Sequence, residues 1–331
     1  MYAASALSKL GYEFRPGHRG KSDLALRQKD NLEKGFEWKD QANYDAVADA
    51  VVSYVQLQLT ALCGLVPLPL PPHPGEANSV VYASNNLEAH TGPLLLLVCG
   101  SAPGGAAGVW GRSLCINSSL HEGAMFDYIF RAEALGWAVL VANPNINDCH
   151  GVPVTGSESP HQHLCTLWKS YISTAPASCV LVVAHSYGAP TMVNLLKVEP
   201  EARSRISALA FTDGMAFPPG SLLMEAVPEN SKETSTLRSA LLHFETLAPE
   251  AFKPASADVR SCLRVARNFK ASAEPAGTPL EDVEGVLAVS AGHTSHPATT
   301  HASTEPLFAF LQLGTEAKAS LANDQIRATL A

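Results

Sequence analysis

Between residues 80 and 290 the chain alternates short, continuously apolar runs with longer amphipathic ones. The runs LLLLV, AVLVA, CVLVVA and ALAF leave no polar position on either side. Strands need that pattern when crossover helices cover both faces of a parallel sheet. Bounded by Gly, Pro and Asn, these runs and their neighbours predict strands over 80–83, 94–98, 138–142, 179–184, 206–212 and 286–290. The intervening stretches have helical spacing: Met125, Ile129 and Ala132 within 122–136, and Leu164, Leu167 and Tyr171 within 160–172. Upstream, Tyr44, Val47, Val51, Val55 and Leu59 put one apolar stripe on a helix over 44–62. Residues 1–40 are mixed in charge and poor in apolar period. The proline-rich stretch LVPLPLPPHPGE, 65–76, reads as a rigid extended crossing rather than a domain boundary, because the preceding helix must bury its stripe against the sheet. The expected architecture is α/β, one doubly wound, mostly parallel sheet with helices on both faces, in a single domain over 1–331. An N-terminal helical extension, 1–75, is expected to pack on it, with a cap-like insert at 215–280.

Composition narrows the function. The 331 residues are 46% apolar and 16% charged, enough to bury a sizeable core. Against 31 acidic residues stand 23 Lys and Arg, a net charge of −8, so broad binding to phosphate backbones is disfavoured and no direct nucleic-acid contact is expected. The seven cysteines, at 63, 99, 115, 149, 165, 179 and 262, include no CxxC pair, which points to neither a disulfide framework nor a zinc site and favours a reducing compartment. There is no apolar run of about 18 residues for a membrane span and no signal-peptide pattern at the start. Nucleus or cytoplasm is the expected location, with no membrane contact, cofactor or metal.

The chemistry concentrates after the run CVLVVA, which leads straight into His185, Ser186, Tyr187 and Gly188 and then into the helical stretch TMVNLLKV. A strand, a serine on a tight turn and a helix make a nucleophile elbow, the device that lifts a serine hydroxyl clear of an α/β-hydrolase-like sheet. Positions two before and two after the serine must be small, and here they are Ala184 and Gly188. A serine needs a histidine base, and the base needs an acid to fix its tautomer. In this fold the chain order is Ser, acid, His. His293 and His296 both lie on the loop after the last strand, where ligands sit at the carboxyl edge; His301 lies further on, and His243 falls in a helix-like segment. For the acid, Asp213 ends the strand after the nucleophile helix, whereas Glu281, Asp282 and Glu284 precede the last strand at its amino end. The backbone N–H of Tyr187 and those around Gly100 and Ser101, in the Gly-rich loop after LLLLV, are the candidate oxyanion donors. GSAPGG matches neither GxGxxG nor GxxxxGKS, so phosphate cradling is a weak alternative. Cys99 reads as a packed small hydrophobe, the alternative being a second nucleophile.

An ordered set of segments resembles the Arb2 domain family of argonaute-binding proteins, whose animal relatives are described as cotranscriptional regulators. It comprises LGYEF, NYDAVADAVVSYV, GSAPGGAAGVWGRSLCIN, GWAVLVANPN, GSESPHQHLCTLW, VVAHSYGAP, FTDG and VSAGHTSHPATT. The resemblance implies an α/β-hydrolase-like fold with Ser186, Asp213 and His296 at the triad positions, which selects His296 over His293. It also implies an adaptor role in small-RNA-dependent chromatin silencing or splicing, with argonaute, chromatin or splicing proteins as partners. The alternative is a working serine hydrolase on a small acyl substrate: an ester, a thioester or an acylated residue. Two positions depart from the family pattern. Cys99 stands where a histidine usually precedes Gly100, and Ala189 replaces a second glycine after the elbow.

Overall fold

The structure, a computed structural model, describes residues 2–73, 75, 77–102, 104–214, 257–262, 265–281 and 286–330. Helix α1 (Tyr2–Lys9) leads into the antiparallel hairpin β1 (Tyr12–Pro16) and β2 (Leu24–Gln28). Helix α2 (Gln41–Ala61) follows, its first turn capped by Asp40, whose carboxylate accepts from the Asn43 N–H at 2.7 Å. The expected helix is therefore present, and the stretch read as lacking pattern holds a short helix and a hairpin.

The main sheet begins inside the proline cluster with β3 (Val66–Leu70), paired antiparallel to β4 (Ser79–Ala83). Pro67 and Pro69 share one phase of the strand, and β3 is outermost, so the N–H groups they lack fall on the open edge. Then come β5 (Leu94–Val98), the short helices α3 (Arg112–Asn117), α4 (Leu120–Gly123) and α5 (Phe126–Ala134), and β6 (Ala138–Val141). A small ribbon, β7 (Asp148–Cys149) with β8 (Val152–Pro153), precedes α6 (Pro160–Leu167), which runs on as a π turn over Trp168–Ile172. After it lie β9 (Val180–His185), α7 (Gly188–Val198), α8 (Pro200–Arg205) and β10 (Ile206–Thr212). The described C-terminal part holds α9 (Ala257–Cys262), β11 (Ala266–Lys270), β12 (Leu287–Ser290), a 3-10 turn at His296–Ala298, α10 (Thr299–Ala302) and α11 (Thr304–Leu330).

Among the described residues, eight strands form one sheet in the order β12-β11-β10-β9-β5-β6-β4-β3. All pairs from β12 to β6 are parallel, and β4 alone runs against the rest, pairing antiparallel with β6 on one side and β3 on the other. The order reverses at β5 and β9, the switch point where open α/β sheets bind ligands. This is the doubly wound sheet of the α/β-hydrolase fold. The continuous apolar runs explain it physically: Leu95, Leu97, Val139, Val141, Leu181 and Val183 belong to one core, and Leu94, Leu96, Leu140, Val180 and Val182 to the other. The first core also takes in the buried stripe of α2, Val47, Val51, Val55 and Leu59, together with Leu7, Tyr12 and Leu26 from the chain start. Each such fully buried side chain contributes roughly 1.5–3 kcal/mol, so the N-terminal segment is held by the sheet it covers. Most of the insert expected over 215–280 lies outside the described residues, with His243; Asp282 and Glu284 lie outside them too.

Candidate active site

Ser186 follows a strand buried along its whole length and has φ +52°, a left-handed backbone that β-carbon sterics make costly by about 1–3 kcal/mol. Hydrogen bonds hold it there: the Ser186 N–H donates to the Thr212 carbonyl at 3.1 Å, and the Ala189 N–H donates to the Ser186 carbonyl at 3.1 Å. The small neighbours are required by contact. A β-carbon on Gly188 would lie 3.0 Å from the Cys99 carbonyl oxygen, and one on Gly100 would lie 2.9 Å from the Ser186 Cβ. The loop after β5 and the elbow after β9 therefore approach each other as closely as backbone allows.

Asp213, at the end of β10, also has positive φ, +45°. Its Oδ1 accepts from the Ala271 N–H at 3.2 Å, and its Oδ2 faces His296 Nδ1 at 2.6 Å. Burial alone would push this carboxyl up, but the hydrogen bonds from His296 and Ala271 and the nearby charges of His296 and Lys270 hold it below the usual carboxylate range. With Nδ1 committed to the carboxylate, a neutral His296 keeps its free lone pair on Nε2, the tautomer a general base needs. The ring of His185 lies 4.7 Å from that of His296, centroid to centroid. His185 Nδ1 reaches the Thr212 carbonyl at 3.0 Å and the Thr300 Oγ1 at 3.2 Å. Burial, reinforced by the charge of His296, lowers the His185 pKa to about 4, so the pair contains one imidazole that stays neutral.

A cavity of about 270 Å³ opens beside Ser186 and His296, lined also by Tyr44, Cys99, Gly100, Ser101, Trp110 and Arg112. Tyr44 comes from α2, so the N-terminal segment forms part of its wall. The Gly100 carbonyl accepts from Asn145 Nδ2 at 2.8 Å. Because a trans peptide sets C=O and the next N–H on opposite sides, this bond turns the Ser101 N–H away from Asn145, and that N–H has no acceptor among the described residues. Burial pushes the Cys99 thiol up to about 12, which leaves it protonated and inert at neutral pH.

The residues singled out in the sequence thus fall into two sets. Ser186, His296, Gly100 and Ser101 share one cavity wall, and Asp213 stands behind His296. Tyr187 turns its side chain away, its hydroxyl 3.1 Å from His161 Nε2, so only its backbone, at the start of α7, lies beside the elbow. Among the described residues no hydrogen bond joins the Ser186 hydroxyl to His296. His293 is exposed and accepts from the Ser295 N–H, Glu281 is exposed, and His301 sits with His121 and Asp127. Sequence reasoning overlooked His185, Asn145, Tyr44 and Arg112 as parts of this site. His185 lies within the elbow itself and Asn145 closes GWAVLVANPN, but neither type at those positions announces a role before the loops converge.

The Arb2 domain model matches residues 4–150. A FAM172 family protein homolog of Caenorhabditis elegans is 33% identical over 217 residues, covering 64% of this chain and 66% of that protein. The human protein named cotranscriptional regulator ARB2A is 25% identical over 338 residues, covering 85% of this chain and 73% of that protein. The chain thus spans just under two thirds of the worm relative's length. Among solved structures, a histone deacetylase from Saccharomyces cerevisiae is similar with a TM-score of 0.49 at 11% identity, covering 81% of this chain and 97% of that one.

Proposed function

We propose, from the premise that this chain belongs to the Arb2 family, that it is a serine hydrolase acting on a short acyl group held as an ester, a thioester or an acylated side chain. The observation that carries the reading is the Asp213–His296 pair on the cavity that holds Ser186 at the elbow. In this mechanism the substrate carbonyl sits over Ser186, and His296 Nε2 takes the hydroxyl proton as the oxygen attacks. Asp213 keeps the imidazole in register and stabilises its cationic form. The backbone N–H groups of Tyr187 and Ser101, with Gly100 leaving room, receive the oxyanion of the tetrahedral intermediate. His296 then protonates the leaving group, and water repeats the cycle to release the acid. The cavity of about 270 Å³ suits a short acyl chain, below the usual range of roughly 300–1,000 Å³ for sites that enclose larger ligands. A fluorophosphonate probe, which reacts only with an activated serine, tests the reading: stoichiometric labelling at Ser186 supports it, and folded protein left unlabelled refutes it.

A second reading draws on the relatives' name. As a cotranscriptional regulator, the chain would act in the nucleus as an adaptor, joining argonaute, chromatin or splicing proteins in small-RNA-dependent silencing or splicing control, with the serine centre inherited. Co-purification of tagged wild-type and Ser186→Ala chains separates the two: equal partner recovery with no probe labelling favours the adaptor. Either role uses the chain as one unit, since α2 lends Tyr44 to the cavity. Limited proteolysis that releases a stable fragment beginning near Gly75 would refute that unity.

A further inference from the structure

A second cluster of chemically competent side chains lies away from the serine cavity. His121 on α4, Asp127 on α5 and His301 on α10 bring one possible ligand atom each to within 4.8 Å of one another, all three side chains being partly buried. His121 Nδ1 is paired with Asp127 Oδ2, and the rings of His121 and His301 meet edge to face with centroids 4.8 Å apart. The other Asp127 oxygen is held by the hydroxyl of Ser22, a buried residue in the turn just before β2. We propose that His121, Asp127 and His301 form a binding site for a divalent transition-metal ion, with Zn²⁺ the natural occupant of such a set. The proposal is independent of the serine reading.

Three features carry it. Two imidazoles and one carboxylate are borderline donors that suit Zn²⁺ and its first-row neighbours rather than Mg²⁺ or Ca²⁺. Ser22 anchors Asp127 Oδ1, its hydroxyl also lying 3.4 Å from His121 Nδ1, and leaves Oδ2 for the ion, as partners behind metal ligands do. A cavity of about 420 Å³ opens onto the cluster, giving an entry path and room for a water in the fourth position. The electrostatics do not oppose a dication: Asp127 and Glu305 balance Arg19 and Arg131 on the cavity wall, and each guanidinium is paired with a carboxylate, Arg19 with Glu122 and Arg131 with Glu305. On binding, the ion takes the place of the proton shared by His121 Nδ1 and Asp127, and that proton leaves to solvent. The ion would link three parts of the chain, since Ser22 belongs to the N-terminal segment and His301 lies on α10, the helix directly after the turn that carries His296. No cysteine takes part, so a search for zinc sites by cysteine spacing passes over it.

Calorimetric titration of the full chain with Zn²⁺, repeated with Co²⁺ as a spectroscopic probe, tests the proposal. One ion per chain is expected, with a visible Co²⁺ band of nitrogen–oxygen coordination and a rise in Tm that a chelator reverses. Asp127→Asn and His301→Gln, which keep the shape of the side chains they replace, should each weaken binding at least tenfold with circular dichroism unchanged, while His73→Gln at an exposed histidine should not. Wild-type chain that takes up no ion, or affinity unaltered in both cluster variants, would overturn it. So would loss of binding in His73→Gln, because the ion would then be on the surface.

Discussion

Among the described residues there are two histidine–aspartate pairs, and they differ in what surrounds them rather than in the pair. His296 turns Nδ1 to Asp213, and His121 turns Nδ1 to Asp127. In the first, the histidine side chain is 47% exposed, stands on a cavity and shares its wall with a serine on a strained turn. In the second, the histidine is 20% exposed, the buried Ser22 hydroxyl sits behind the pair on Asp127, and the group that shares the cavity with it is the imidazole of His301. A carboxylate beside an imidazole therefore fixes only tautomer and orientation. The accessible third group decides the chemistry: a hydroxyl on the cavity makes the pair a base and an imidazole there makes it a ligand set, while the buried hydroxyl of Ser22 and the buried ring of His185 only back their pairs.

The largest effect that tests this contrast is removal of the third group. Ser186→Ala should lower turnover of an activated short-chain ester on the order of 10⁶-fold and abolish probe labelling, with the fold intact. Turnover that survives would move the activity to another residue. Removing the two carboxylates comes next. Asp213→Asn leaves the geometry but favours the wrong tautomer of His296, and a loss of about 10⁴-fold in kcat is expected by analogy with other triads. Asp127→Asn should cost less than about tenfold, because that carboxylate orients no base. Comparable losses in the two variants would erase the distinction drawn between the pairs.

The first pair was legible in the sequence and the second was not, and the reason is physical. Ser186 and Asp213 each end a continuously apolar strand, and His296 lies on the loop after another, so parallel strands with one direction deliver all three to one edge. Within the histidine loop, residue position alone left His293 and His296 equivalent until the family resemblance chose between them. His121, Asp127 and His301 lie instead on short helices that meet only because α11 and the chain start pack against α5. No periodicity marks that convergence. The same limit applied to strands. β11 carries Arg267, Asn268 and Lys270, which break the apolar run, and β3 is disguised by prolines that only an outer strand tolerates. The helix read over 122–136 is divided into α4 and α5, with Ala124 in extended backbone between them.

A third kind of imidazole has no carboxylate at all. Burial lowers the pKa of His161 to about 4 and of His163 to about 3, and His185 falls to about 4. His163 shows why neutrality is needed: its Nε2 accepts from the Asn143 N–H at 3.2 Å, so a proton there would break the bond. In the unfolded chain these groups take up protons near pH 6.5, so below that value the unfolded state binds more protons and stability falls with pH. Asp213 contributes nothing to this window, because its own contribution is lost only below the ordinary carboxylate pKa. Each buried imidazole should cost roughly 2 kcal/mol by pH 5, measurable as a falling denaturant midpoint with net proton uptake on unfolding. Stability that stays flat from pH 7 to pH 5 would show that these rings are reached by protons in the native state.

The smallest expected effect concerns the strain at the serine. Ser186 keeps φ +52° because the Thr212 carbonyl, the Ala189 N–H and the close approach of Gly100 over-determine the turn. A β-carbon is disfavoured in that region and glycine is not, so the wild-type chain carries a cost that serves the placement of the hydroxyl. Ser186→Gly removes the β-carbon and should raise stability by about 1 kcal/mol over Ser186→Ala, partly offset by the greater freedom of glycine in the unfolded chain. Both variants lack the nucleophile, so the difference between their denaturant midpoints isolates the backbone term from the chemistry. A glycine variant less stable than the alanine variant would mean that the turn stores no strain, and the serine's left-handed backbone would then be an ordinary turn conformation with no bearing on catalysis.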